Sequence, residues 1–511
     1  MSILRALRSS PSAEGAALFR PTVLSRRVDE RSVIRQLSYA PRWLTAIALW
    51  CALAAAAQET ATRLPAPVAQ ALERAGIPES SIGIYVQDAQ AERPVVAVGD
   101  ARALNPASTV KLLTTLAALD QLGPAYRWTT EVYADGAVQG DVLNGNLVIK
   151  GYGDPRMTLE NFWLMLRALR ARGVREIRGD LVLDRGYFTR EDIDPAAFDN
   201  EPTRPYNTPP DAVLVNFKAL RLQFLPDAER RALKILVEPA LPQVQVLNNV
   251  VLDNEPCDDW VARLKLTAAG DSVSARLLFS GNFSTACGEK ERNYSVLGHP
   301  QYVHGLFTLL WRELGGTFAG AVRDAERPAG ARLLLAYETQ TLAEIVRDIN
   351  KFSNNVMARQ LYMSLGAIVA GAPATGEKSG RVIRQWLGTR RMSVPELVLE
   401  NGSGLSRIER ISARNLARLL LFAQHSPVMP EFVASLPLVA VDGTMRKRLA
   451  GADVAGQAHI KTGSLSGVRA IAGYVLDAKG RTMVVVCIVN HAQAAGAQAA
   501  QDALLRWVYS R

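Results

Sequence analysis

The stretch Asn105-Pro-Ala-Ser-Thr-Val-Lys111 limits the possible folds more than any other, because it starts a helix at a defined place and puts chemistry in its first turn. Asn105 is suited to cap that helix and Pro106 to its first position, while Val110, Leu112, Leu113, Leu116 and Leu119 give it an extensive apolar surface. Gly123-Pro124 ends it. Upstream, Val68 to Arg74 reads as helix, Ile82 to Val86 alternates as a half-buried strand, and Val95 to Val98 makes a second strand. Ser108 and Lys111 stand three apart, on one face, beside the unpaired N–H groups of the helix start. A serine hydroxyl needs a base, and lysine serves when its ammonium is disfavoured; a helix N-terminus and a second cation both act that way. Taken alone, Ser-x-x-Lys is a weak signal, which an exposed Ser and Lys on a helix explain as well.

At 511 residues the chain is too long for one ordinary core, so two or more folded units are expected. The net charge of +10 is unevenly placed: residues 1–57 hold eight Arg and three acids, which supplies half of it. Without a Lys/Arg run or a basic stripe interleaved with aromatics, no nucleic-acid partner is assigned. Residues 1–57 read as an address. After Arg42, the apolar stretch Trp43–Ala57 ends in small residues, so a signal peptide cleaved near Ala57 is expected, and with it a periplasmic location. An uncleaved anchor is the alternative, for which the stretch is short. Bulky Trp50 argues against lipidation of Cys51, and the long arginine-rich leader suggests that translation starts further in, although no second Met precedes Met157. In an oxidising compartment Cys257 and Cys287, thirty residues apart, are a disulfide candidate, the alternative being two unrelated thiols; Cys487, in Met483–Val489, reads as a small buried hydrophobe. The five His are scattered and no His-Glu-x-x-His occurs, so no metal site is expected.

Two further elements give Ser108 company. Thr341-Leu-Ala-Glu344 is a capping box that opens a helix ending near Lys351-Phe352, and a second helix-like run starts about Val356. Between them Ser353-Asn354-Asn355 sits on a tight turn, where a hydroxyl and an amide can point outward together; a local backbone cap is the ordinary alternative. Further on, Lys461-Thr-Gly-Ser464 precedes two strand-like runs, Ala470 to Leu476 and Thr482 to Val489, and so falls on or beside an edge-forming strand. There Gly463 lets a substrate backbone approach, Lys461 supplies the second cation, and Thr462 and Ser464 offer hydroxyls to a carboxylate. By contrast, Gly371 to Ser379 only approaches a phosphate-binding loop, because Glu377 stands where Lys should follow Gly376; it is read as a loop. No nucleophile-elbow Gly-x-Ser-x-Gly surrounds Ser108, which disfavours a Ser-His-Asp hydrolase.

Ser108-x-x-Lys111, Ser353-x-Asn355 and Lys461-Thr-Gly463, in this order, resemble the three motifs of penicillin-binding proteins and serine beta-lactamases. Roughly 240 residues separate the first two, enough for a whole inserted domain. That layout resembles the class C low-molecular-mass penicillin-binding proteins, the D-alanyl-D-alanine carboxypeptidase/endopeptidase family. The stretches Asn105–Thr114, Gly151–Pro155, Asn401–Arg407 and Val441–Thr444 resemble it too, and the likeness covers essentially all of the chain after residue 57.

The resemblance implies a multi-domain α/β fold: a transpeptidase-like domain, an antiparallel sheet with helices on both faces, made of residues 58–135 and 333–511 and interrupted by a mixed, partly strand-rich insert at 136–332. Within the insert, Leu147 to Lys150 and Leu181 to Asp184 read as strands, Leu159, Phe162, Leu166 and Leu169 as a helix closed by Gly173, and Ile235 to Val251 and Leu264 to Leu278 as strand-rich, forming a possible further subdomain. It also implies a serine peptidase of peptidoglycan stem peptides, inhibited by beta-lactams and needing no cofactor. Ser108 would be the nucleophile and Lys111 its base, with Ser353 and Lys461 relaying a proton, Asn355, Thr462, Gly463 and Ser464 binding substrate, and the N–H groups of Ser108 and Ser464 forming the oxyanion hole. A beta-lactamase or esterase on the same fold, or a non-catalytic wall-binding protein, are the other readings; a loose membrane association stays open.

Overall fold

Seven consecutive residues, Met483 to Val489, are each at most 1 % exposed, which a strand achieves only when both faces of its sheet are covered. The computed structural model describes residues 63–511 apart from 191, 192 and 272, so the expected leader and its cleavage point lie outside the described residues. The strand Thr482–Asn490 is the centre of a five-stranded antiparallel sheet, in the order Ala458–Leu465, Val468–Leu476, Thr482–Asn490, Ile82–Asp88, Val96–Val98. Because side chains alternate along a strand, Val484, Val486 and Ile488 join one core and Met483, Val485, Cys487 and Val489 another. The first core lies under the helices Lys111–Leu122, Leu342–Lys351, Asn355–Ala370, Gly376–Thr389 and Ala413–Gln424; the second is closed by Ala66–Arg74 and Gln498–Tyr509. Ala458–Leu465, which carries Lys461, is an edge strand.

The remaining sheets share a third core. Arg127–Gln139 and Arg332–Thr341 pair antiparallel, and residues 135 and 333, where the sequence reading divides the chain, lie within these two strands. They belong to a seven-stranded sheet with Val142–Lys150 and the short strands Glu176–Ile177, Leu181–Asp184, Thr317–Phe318 and Val322–Asp324. Leu159–Ala171 and His299–Glu313 supply its helical layer, with Phe162, Met165, Leu166, Leu306, Phe307 and Trp311 in the common core. The strand-rich stretch resolves into two three-stranded sheets: Leu264–Gly270, Ala275–Ser284 and Val244–Asp253, and then Lys290–Tyr294, Leu220–Asp227 and Ala232–Glu238. A disulfide joins Cys257 to Cys287 there, and Cys487 is free and buried. Trp128, fully buried, donates to Ser364 Oγ at 3.0 Å and so ties the strand Arg127–Gln139 to the helix Asn355–Ala370.

Placing Asn at either Val485 or Val486 is expected to lower the unfolding free energy by about 2 kcal/mol or more, because each side chain enters a different dry core. Urea unfolding monitored by circular dichroism checks this. Full tolerance at either position would show that one face of the sheet is not covered as described.

Candidate active site

The helix bearing Ser108 starts later than its sequence suggests. Asn105 Oδ1 accepts the Ala107 N–H at 2.8 Å, but the first helical residues form a 3-10 turn, Ala107–Val110, and the α-helix proper is Lys111–Leu122. Pro106 therefore precedes the helix instead of opening it. The physical reason is Ala107, whose φ of +44° lies in the left-handed region and so interrupts right-handed helical backbone directly after Pro106. Asn105 is otherwise occupied in anchoring this bend: its N–H reaches Asn490 Oδ1 at 2.7 Å, Asn490 Nδ2 returns to its carbonyl at 3.0 Å, and its Nδ2 donates to Ser406 O at 2.9 Å. The bend is thus pinned to the end of the central strand and to the 401–407 loop.

Lys111 has no exposed surface, and its Nζ meets three acceptors: Ser108 Oγ at 2.8 Å, Asn355 Oδ1 at 2.6 Å and the Ser403 carbonyl. A neutral amine has two N–H groups and one lone pair. Asn355 Oδ1 and the Ser403 carbonyl can only accept, so in the neutral form they take both N–H groups and leave the lone pair facing the Ser108 hydroxyl. Burial drives the Lys111 proton affinity well below the ordinary lysine range, the positive charge of Lys461 adds to this, and Glu409 opposes it. Lys461, also without exposed surface, donates to Ser353 Oγ at 2.9 Å and to the Thr462 carbonyl at 2.8 Å; burial alone brings its pKa to about 7.

Ser353 and Asn355 are brought in by the turn between two helices. The capping box starts Leu342–Lys351, with Thr341 N–H donating to Glu344 Oε2 at 2.8 Å, and Asn354 caps Asn355–Ala370 through the Met357 N–H at 3.0 Å. Ser353 between them has φ +55°, a left-handed bend that aims its hydroxyl at Lys461 while Asn355 faces Lys111. Lys351 holds this helix end by an ion pair to Asp442 at 2.6 Å, next to Thr444, whose Oγ1 accepts from Thr462 Oγ1 at 2.8 Å. On the edge strand, a Cβ at Gly463 would lie 2.7 Å from the Pro106 carbonyl and 3.1 Å from the Ser108 nitrogen, so only glycine lets the strand press against the serine-bearing turn. Ser464 follows it, exposed.

All of the expected catalytic and substrate-binding residues therefore meet at one place. The Ser403 carbonyl, Thr444, Asp442 and Asn490 were not assigned a role from sequence. Ser403 lies in the turn-forming run Asn401-Gly-Ser-Gly404, which offers a signal for a loop but none for a carbonyl aimed at a lysine. That loop borders a cavity of about 530 Å³, lined among others by Phe198, Asp211, His299, Arg359, Asn401 and Arg407. The Arg407 guanidinium lies 4.4 Å from the centre of the Phe198 ring. Lys378, in the stretch that approaches a phosphate loop, donates to the carbonyls of Gly371 at 2.6 Å and Pro373 at 2.8 Å.

A family model described as the D-Ala-D-Ala carboxypeptidase 3 (S13) family matches residues 64–510. The chain belongs to that family. Among relatives of this S13 peptidase, a D-alanyl-D-alanine carboxypeptidase DacB of Haemophilus influenzae is 24 % identical over 421 residues, covering 81 % of this chain and 86 % of its own. A D-alanyl-D-alanine carboxypeptidase of an Actinomadura species is 28 % identical over 471 residues, covering 89 % and 86 %. The crystal structure of penicillin binding protein 4 from Haemophilus influenzae superimposes with a TM-score of 0.74 at 23 % identity, over 87 % of this chain and 99 % of that one. The shared fold is the multi-domain α/β arrangement described above.

Replacing Gly463 by Val is expected to slow acylation by a beta-lactam at least about tenfold, because the added side chain forces the edge strand off the serine-bearing turn and misplaces the reacting groups. Stopped-flow fluorescence with a labelled penicillin measures it. An unchanged rate would mean that the close approach of strand and turn is not needed.

Proposed function

We propose that Ser108 is the nucleophile of this D-Ala-D-Ala carboxypeptidase and that two buried lysines serve the two proton transfers of its acylation half-reaction. The observation that carries the reading is the Lys111 Nζ held between Ser108 Oγ, Asn355 Oδ1 and the Ser403 carbonyl. Neutral Lys111 takes the Ser108 proton as Oγ bonds to the carbonyl carbon of the penultimate D-alanine of a peptidoglycan stem peptide. The resulting oxyanion faces the N–H groups of Ser108 and Ser464. Lys461, with a pKa of about 7, holds both forms near neutrality and passes a proton through the Ser353 hydroxyl to the departing amine, releasing D-alanine and leaving an ester on Ser108. Water then hydrolyses the ester: its oxygen bonds to the acyl carbon, its proton restores Lys461, and Lys111 returns its proton to the Ser108 oxygen as that oxygen leaves. Asn355 and Gly463 line the path of the peptide backbone, and the Thr462 and Ser464 hydroxyls receive its terminal carboxylate. A beta-lactam acylates the same serine and stays, because its opened ring leaves no departing fragment.

Export places this chemistry where the wall is. The apolar stretch Trp43–Ala57, removed near Ala57, is the segment that would send residues 58–511 to the periplasm, with residues 136–332 as an insert in the catalytic domain. Among the described residues no helix is long and apolar enough to cross a membrane.

Purified protein is expected to release D-alanine from a stem pentapeptide, and Ser108→Ala to lose at least about a thousandfold of that rate and all labelling by fluorescent penicillin. Mass spectrometry of products from cross-linked muropeptide dimers adds the second possible cut: free D-alanine reports carboxypeptidase action, monomers report endopeptidase action. Rapid nitrocefin turnover without D-alanine release, or labelling that survives in Ser108→Ala, contradicts the assignment.

A further inference from the structure

Between residues 400 and 409 the chain folds back around one carboxylate that the mechanism above does not use. Glu409 has no exposed surface. Its Oε1 accepts the backbone N–H groups of Glu400 at 3.2 Å, Asn401 at 3.0 Å and Gly402 at 2.9 Å, while Oε2 has no hydrogen-bond partner. Its own N–H donates to Ser406 Oγ at 3.0 Å, so both ends of the loop are tied to this residue and its neighbour. A buried carboxylate is costly to keep charged, and three amide donors converging on one oxygen are the kind of environment that offsets the cost. Burial raises the proton affinity of Glu409, and those three amides work against the rise.

The turn gathered in this way leads directly to the base. Its next carbonyl, Ser403, accepts from Lys111 Nζ, and its Gly402 carbonyl accepts from Thr114 Oγ1 at 2.7 Å, one turn along the same helix. Gly404 completes the close packing: with φ +80°, a Cβ there would stand 2.1 Å from the Ala107 carbonyl. The charged groups facing this region come from several elements. Lys461 from the edge strand and Arg359 from the helix Asn355–Ala370 both act on Lys111 as like charges, Glu409 acts as the opposite charge, and Glu400 and Arg359 face Glu409. Arg359 is itself largely buried, its Nε without a partner.

We infer that Glu409 is a positioning residue for acyl transfer: its carboxylate clamps the 400–403 turn so that the Ser403 carbonyl holds Lys111 against Ser108, and its charge counters that of the buried cations around the base. This rests on the reading of Lys111 as the base that activates Ser108. Clamp and charge are separable. Gln at position 409 keeps an oxygen for the three N–H groups and removes the charge, whereas Ala removes both. A negative charge favours the ammonium form of Lys111, so its loss lets the neutral base persist to lower pH.

The test is the acylation rate with fluorescent penicillin measured from about pH 5 to about pH 10, for the wild type, Glu409→Gln and Glu409→Ala. The acid limb is expected to move to lower pH by about half a unit or more in Glu409→Gln. The plateau rate is expected to fall at least about tenfold in Glu409→Ala, and by clearly less in Glu409→Gln. An acid limb that stays in place or moves up in Glu409→Gln overturns the charge role, and a wild-type plateau in Glu409→Ala overturns the clamp. Should Glu409→Ala fail to fold by circular dichroism, the acid limb and plateau of Glu409→Gln decide alone. A wild-type enzyme that takes no label on Ser108 overturns the assignment of the nucleophile, and this inference with it.

Discussion

Two lysine side chains without exposed surface, each with its amine on a serine hydroxyl, set the terms for everything else in this molecule. Burying an ammonium group is costly, and burying two near one another compounds the cost, so the pair relaxes by giving up protons. The causes differ. Lys461 responds to burial alone and comes to about 7, while Lys111 feels burial first and then the charge of Lys461, and is held well below its ordinary range. In the proposed mechanism one of these amines takes a proton and the other hands one over.

The architecture serves to hold those amines where water does not reach them. The central sheet is buried on both faces, and its edge strand brings Lys461 against the turn that carries Ser108, an approach that Gly463 and Gly404 make possible from two sides. Left-handed backbone at Ala107 and Ser353, just before one serine and at the other, turns the chain so that hydroxyl and amine meet. Such conformations cost free energy and persist only where surrounding contacts enforce them. Here the Asn105–Asn490 pairing enforces the first, and the Lys351–Asp442 ion pair with the Asn354 cap enforces the second.

Much of this was legible in the sequence where a residue type has a local consequence. The capping box at Thr341, the strand at Ile82–Val86, the apolar run ending at Val489, and the side chains of Ser108, Lys111, Ser353, Asn355 and Lys461 are all of that kind, although Ile82–Val86 is buried on both faces and not half-buried as its alternation suggests, because it lies inside the sheet. What escaped depends on distant backbone. Ala107 carries no mark of its positive φ, so Pro106 read as the first residue of a helix that in fact starts after a 3-10 turn. The Ser403 carbonyl is common to every residue type, and Glu409 sits in a polar run, Ser406-Arg-Ile-Glu-Arg410, where an acid ordinarily points to solvent. The helix His299–Glu313 has a readable period in Tyr302, Val303, Leu306, Phe307, Leu310 and Trp311, with Pro300 in its first turn where it is tolerated, but Gly305 in its middle weakens the propensity and masks the helix.

The central claim is that Lys111 is a neutral amine at working pH, and NMR titration of protein labelled with 13C at the lysine ε-carbons tests it most directly. The predicted result is a resonance that titrates well below the ordinary value of 10.5, is missing in Lys111→Met, and is distinct from a second one near 7 that is missing in Lys461→Met. If the resonance assigned to Lys111 stays protonated until about pH 10, as a solvated lysine does, the account of how Ser108 is activated is wrong.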